Sequence, residues 1–479
     1  MKWPASKIDE RKAMSEKRKN KQQPEVSKNR NALYIMHISL HTLRSALNSL
    51  RSSPLALRSS LYVFIALTSI TCQSQNNAKT QITFWAMGAE GEHVQKLMPE
   101  FERLHSEVRV KVQMIPWVAA HEKLLTAYAG RSLPDICQLG NTWIPEFTLL
   151  NSLEPLDAWL EKSAEINKES YFDGIWQTNL IEAQLFGIPW YVDTRVLFYR
   201  KDVLAQAGFP EGPKTWSDWV SASQRIKKQL GDQKGYPNFL PINEYMPPIV
   251  LGMQAGSTLL RDGNRYGDFR GKEFARAFTF YMSFFKNKLA PVGITEITNL
   301  YQGFADGYLS MYISGPWNVG EFSRRLPENM QDKWMTAPLP SPDSSGGPGA
   351  SLAGGSSLVM FRSSKNKEAV WKLIEYLSEP AVQMQFYHFT GDLPARKEAW
   401  QDSSLTHDIY IHAFFEQLNH VKPTPPVPEW EQISLKIQQY AEAGARQSMS
   451  IDEALAGLDR EVDLMLEKRR WMLERRANE

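Results

Sequence analysis

GIPWYVDTRVLFYRKD, residues 187–202, decides the fold. It holds the strand-like run Val196-Leu197-Phe198-Tyr199 and then a helix starting near Asp202. Working outward, the same alternation recurs. Upstream, QITFW (81–85), VRVKVQMI (108–115) and LPDICQL (133–139) read as strands, and Val94, Leu97, Met98, Phe101 and Leu104 lie at helical spacing. Downstream, Thr215 or Ser217 is placed to cap a helix over WSDWVSASQRIKKQL. SMYIS (310–314) and SLVMF (357–361) are further strands. Val370, Leu373, Ile374 and Leu377 mark an amphipathic helix, and a long one runs from Ile451 to Leu466. Strands alternating with helices predict α/β lobes with mainly parallel sheets. The Ser/Gly/Pro-rich stretch 341–357 reads as a loop.

The chain of 479 residues carries 55 basic and 53 acidic residues and is 42% hydrophobic, which excludes a collagen-like, disulfide-scaffold or largely disordered protein. Residues 1–72 hold 13 Lys and Arg against 4 Asp and Glu, whereas the remainder holds 42 basic and 49 acidic residues. A mildly acidic body lacks the clustered basic footprint that a nucleic-acid partner needs. Residues 61–71, LYVFIALTSIT, are uncharged and follow Arg44, Arg51 and Arg58. The run is too short to span a bilayer and matches a signal-peptide core. Thr71-Cys72-Gln73 then resembles a lipoprotein processing site, so lipidated Cys72 is the expected membrane attachment; ordinary cleavage nearby is the alternative. Met1 and Met36 both offer a start, and residues 1–78 are set aside as leader and linker.

Catalytic signatures fail one by one. His121-Glu122 begins a zinc-protease motif, but Leu125 occupies the second ligand position. Cys72 and Cys137 alone build no zinc site. The Gly-rich loop lacks the Lys-Ser/Thr of a phosphate-cradling loop, and Gly349-Ala350-Ser351-Leu352-Ala353 departs from a nucleophile elbow in its last residue. The expectation is therefore no catalytic residue, no metal and no cofactor. Five tryptophans instead sit where strands end: Trp85, Trp117, Trp143, Trp190 and Trp317. Ligands of open α/β sheets bind outside the carboxyl ends of the strands. A Trp face there can stack on the apolar face of a sugar ring.

Eight segments then come in a familiar order: ITFWAMGAEGE (82–92), LPDICQLGNTWIPEF (133–147), 187–202, KTWSDW (214–219), FADGYLSMYISGPWNVGEF (304–322), TAPLP (336–340), LAGGSSLVMF (352–361) and GDLPARKEAW (391–400). From about residue 80 to 475 the chain resembles the carbohydrate-binding proteins of bacterial ABC importers, the family that includes the maltose/maltodextrin-binding protein. The resemblance implies a two-lobed α/β periplasmic-binding-protein fold with three crossings. Lobe one would be 79–191 plus 338–393, and lobe two 192–337 plus 394–479. It implies a monomeric extracytoplasmic receptor that captures a carbohydrate between hinged lobes and delivers it to ABC permease subunits. The ligand-binding residues it implies are Gly88 and Glu90; Asn141, Thr142 and Trp143; Trp190 and Asp193; Trp317 as the stacking platform; and Gly355 and Arg396. Asn243 and Tyr245, in the Pro-flanked loop PINEYMPP, are candidates to close one end. Ala89-Glu90 stands where the maltose-binding protein has an Asp-Lys pair, which puts maltose itself in doubt. A secreted glycoside hydrolase with a carboxylate pair, and a sensory or adhesive lipoprotein on the same scaffold, are the other classes open at this point.

Overall fold

The computed structural model describes residues 79–231, 234–293, 297, 299–343 and 347–478. The expected leader, its cleavage site and Cys72 lie outside the described residues. In chain order the main strands are β1 (Thr80–Met87), β2 (Val108–Ile115), β3 (Ile136–Gly140), β4 (Ile188–Asp193), β5 (Val196–Arg200), β6 (Tyr236–Phe239), β7 (Leu309–Ser314), β8 (Trp334–Ala337), β9 (Gly354–Met360) and β10 (Leu393–Pro394). The helices that matter below are α1 (Trp117–Ala129), α2 (Ile144–Leu149), α3 (Trp216–Leu230), α4 (Met246–Gln254), α5 (Lys272–Lys286), α6 (Trp317–Arg325), α7 (Lys367–Ser378), α8 (Pro380–Thr390), α9 (Trp430–Ala445), α10 (Ile451–Met465) and α11 (Glu467–Asn478).

Two sheets give the two lobes. The first runs β10-β4-β9-β3-β1-β2 and the second β8-β5-β7-β6. Within these two sheets, parallel pairing is confined to β1 with β2 and β3, and to β6 with β7. The expectation of mainly parallel sheets therefore fails. The strands next to the crossings leave one lobe (β4, β8) or enter the other (β5, β9) without a helical return, and they pair antiparallel. Every residue of β3 and of β5 is buried, as expected for strands covered on both faces.

Local chemistry sets several elements. Thr215 caps α3 through its hydroxyl, and Asp218 returns the bond to the Thr215 amide, a complete capping box. PINEYMPP is not simply a loop. Met246-Pro247-Pro248 starts α4, because proline lacks only an N–H that the first helical turn leaves unpaired anyway. The Gly-rich stretch expected as a loop is partly strand. Ser351–Leu352 pairs with Val421–Lys422, and β9 begins at Gly354. The glycines allow this pairing: a Cβ on Gly354 would stand 2.4 Å from Asp193 Oδ1, and one on Gly355 2.3 Å from the Tyr191 carbonyl oxygen.

The first sheet reaches beyond the expected lobe limits. Val192 and Asp193 pair with Gly355 and Gly354, and Pro394 pairs with Tyr191. Arg396 packs beyond them, its guanidinium donating to the Glu165 and Ser378 carbonyls.

Candidate functional site

A cavity of about 380 Å³ lies between the lobes, walled by the loops after β1 and β3, the end of β4, the start of β9, and α4, α6 and α9. Glu90 is its best-anchored acid. Tyr191 Oη donates to Glu90 Oε1 at 2.9 Å, and Trp117 Nε1 lies 3.3 Å from both carboxylate oxygens. Tyr191 Oη in turn accepts from Gln138 Nε2 at 2.9 Å and from Ser356 Oγ at 3.0 Å, while Gln138 Oε1 accepts the Met87 amide at 2.7 Å. Burial, with the nearby Glu90 charge, pushes the Tyr191 phenol well above its ordinary value, so it remains a donor at neutral pH. The chain from β1 through Gln138 and Tyr191 fixes where Glu90 presents its oxygens.

Aromatic surface stands on both walls. On the first lobe, Trp117 and Trp143 meet edge to face with centroids 5.8 Å apart. His121 backs Trp143 at 5.1 Å and lies 2.6 Å from Glu146. On the second lobe, Trp317 opens α6 and is 46% exposed, which sets it apart from the core tryptophans. Gly315 makes room for that pose, since a Cβ there would stand 2.1 Å from the Trp317 ring. The Arg195 guanidinium lies 4.6 Å over the same ring and pairs with Asp193 at 2.6 Å. Thr142 Oγ1 donates to Glu431 Oε1 at 2.5 Å, joining the loop after β3 to α9.

Four carboxylates, Glu90, Asp193, Asp392 and Glu431, and the one guanidinium of Arg195 line the cavity. Burial first, then the Glu90 charge, pushes the Asp392 carboxyl up to about 7. Burial likewise raises the Tyr245 phenol to about 12, keeping it protonated. No cluster of three or more His, Cys, Asp or Glu suited to a metal ion occurs among the described residues.

The structure brings Glu90, Asn141, Thr142, Trp143, Asp193, Tyr245, Trp317 and Gly355 to this cavity. Four expected residues fall elsewhere. Trp190 alternates with Tyr191 and Asp193 along β4; they face the cavity, whereas Trp190 is 1% exposed and stacks on Phe386 at 4.3 Å. Arg396 is buried and holds main-chain carbonyls. Asn243 is exposed and outside the lining. Gly88, at φ +50°, shapes the turn under Trp117, where a Cβ would stand 2.7 Å from that ring, but does not itself line the cavity. Tyr191, Arg195, Trp117, Asp392 and Glu431 are among the residues sequence reasoning missed. Period-two alternation from Asp193 points to Tyr191, and Trp117 was already marked as a strand-end tryptophan. Glu431 had no local signal; only the packing of α9 brings it in.

Comparison with known proteins agrees with this architecture. Residues 86–384 match the family model described as bacterial extracellular solute-binding protein. The solved structure of the sugar-binding protein MalE from the phytopathogen Xanthomonas citri is 47% identical, with a TM-score of 0.80, over 82% of this chain and 99% of that one. The galactooligosaccharide-binding protein of Bacillus subtilis is 25% identical over 82% of this chain and 93% of its own length. The diacetylchitobiose-binding protein DasA of Streptomyces coelicolor is 26% identical over 73% and 80% respectively. With a family match over residues 86–384 and a fold shared over 82% of its length with a solved relative, this chain belongs to the bacterial extracellular solute-binding protein family.

Proposed function

We propose that the protein is an extracytoplasmic carbohydrate receptor that closes its lobes on a sugar or oligosaccharide and delivers it to ABC permease subunits. The observation that carries this reading is the pair of facing aromatic walls, Trp117 with Trp143 on one lobe and Trp317 on the other. Carboxylate, amide and guanidinium groups stand between them. Sugar rings present apolar faces to such walls and hydroxyls to such acceptors and donors. The described relatives support it: one is named for galactooligosaccharides and one for diacetylchitobiose. We take the hinge to lie at Thr194 and after Ala337. Asp193 still pairs in the first sheet and Val196 already pairs in the second.

The family is one of binding proteins rather than enzymes. Glu90 fits that role, since Trp117 and Tyr191 hold its oxygens in place as acceptors. A thermal-shift screen of residues 79–479 against mono- and oligosaccharides tests the proposal. A ligand at 100 times its Kd stabilises the fold by about 2.7 kcal/mol. A complete panel without a shift would overturn it.

A further inference from the structure

A second cavity, of about 490 Å³, lies apart from the cleft. Thr148 and the following Asn151, Gln184 of a short hairpin, and Arg362 after β9 wall it on the first lobe; Asn264 and Arg469 of α11 wall it on the second. Two guanidiniums and one carboxylate, Glu182, are among its lining groups. Among the described residues the Arg469 Nε has no hydrogen-bond partner, and it is shut off from water. Thr148 Oγ1 is withdrawn from water in the same way. Arg362 is exposed; among the described residues it uses only its Nε, on the Leu153 carbonyl at 2.8 Å, which leaves both terminal nitrogens open to a ligand.

A buried donor left unpaired costs free energy that an acceptor recovers. A guanidinium fork matches the paired oxygens of a carboxylate or phosphate better than any other side chain. The amides of Asn151, Gln184 and Asn264, with no side-chain hydrogen bond among the described residues, add neutral donors and acceptors of the kind that hydroxyls use. We infer that this cavity is a second binding site, for a small hydroxylated oxyanion: a sugar acid or a sugar phosphate. Such a ligand would touch both lobes through Arg362 and Arg469, and it is chemically distinct from the neutral sugar proposed for the cleft.

Titration calorimetry at fixed ionic strength, with glucuronate, glucose 6-phosphate and glucose as probes, tests this on four proteins: wild type, Trp317→Ala, Arg469→Ala and Arg362→Ala. At least one charged probe is expected to bind wild type and Trp317→Ala alike, and at least tenfold more weakly to each arginine variant. Binding of glucuronate alone assigns the carboxylate form, and of glucose 6-phosphate alone the phosphate form. Arg362 is exposed, so its truncation leaves a folded protein even where Arg469→Ala does not. The inference is overturned if neither charged probe binds wild type, if Arg362→Ala binds as wild type does, or if Trp317→Ala abolishes the binding.

Discussion

Truncating Trp317 to Ala separates a cleft platform from a core residue. The side chain is 46% exposed, in a wall of the cavity. Taking the area of a tryptophan as roughly 250 Å², about 110 Å² of it is available to a ligand. At about 25 cal/mol per Å², covering all of that area is worth about 3 kcal/mol, and covering one ring face about half as much. The expected loss of about 1.5–3 kcal/mol corresponds to a Kd roughly ten- to a hundred-fold weaker. The folded state loses less. Trp317 gives up its stack with Arg195, worth about 0.5–1 kcal/mol at an exposed site, and part of its packing. A fully buried tryptophan would instead cost about 3–5 kcal/mol. The variant should therefore melt within a few degrees of wild type yet bind its sugar at least tenfold more weakly by calorimetry. Unchanged affinity, or a melting point far below wild type, would refute the reasoning and leave Trp117 and Trp143 as the stacking surfaces.

Gly315→Ala keeps the indole but puts a methyl group where the ring now lies, 2.1 Å from it, so it should weaken sugar binding as Trp317→Ala does; wild-type affinity would show that the ring's pose is unimportant. Asp392 holds in the folded state, up to about pH 7, a proton that the unfolded chain releases near its ordinary 3.8. Its contribution to stability therefore falls as pH rises between those values. Asp392→Asn should melt with wild type near pH 3.5 and above it near pH 8, and equal melting at both would refute the assignment. Small-angle scattering should show a smaller radius of gyration with saturating sugar, from rotation at Thr194 and after Ala337; an unchanged radius would remove the hinge. If Cys72 is the lipid attachment, Cys72→Ala should release the protein from membrane fractions, and continued retention would dismiss the anchor.

Much of the fold was legible because its signals are local. The strand run in 196–199, the helix cap at Thr215 or Ser217 and the period of Val370 to Leu377 each depend on neighbours a few residues away; the strand and the helix appear as read, and of the two hydroxyls Thr215 makes the cap. Sheet direction was not legible, because whether β9 runs with or against β3 depends on which lobe the chain comes from. Neither was the strand character of Gly354 and Gly355, since propensity argues against glycine where contact distance demands it. Within the site, the aromatic positions were marked by their place after strands. Trp190 was misassigned because a motif names a segment, whereas the pleat decides which of two adjacent side chains faces the ligand. Glu431 and Asp392 enter the cleft from distant segments, and no spacing rule connects them to Glu90.

The contacts that already tie the lobes together bear on how such a receptor responds to its ligand. Asp193 ends the first sheet's crossing strand, and Arg195, two residues on, stacks on Trp317; Thr142 reaches Glu431 on α9. A partly exposed ion pair contributes about 0–1 kcal/mol, and a neutral-to-charged hydrogen bond about 1.5–3 kcal/mol, less where water competes. Shifting a two-state equilibrium from 1:99 to 99:1 needs a differential of about 5.5 kcal/mol. These two contacts fall short of that on their own. A sugar that covers Trp317 from one lobe while bonding Glu90 on the other adds about 3 kcal/mol of stacking plus its hydrogen bonds, and only when the walls are together. The ligand thus supplies the larger share of the closing free energy, as a receptor that must report occupancy requires.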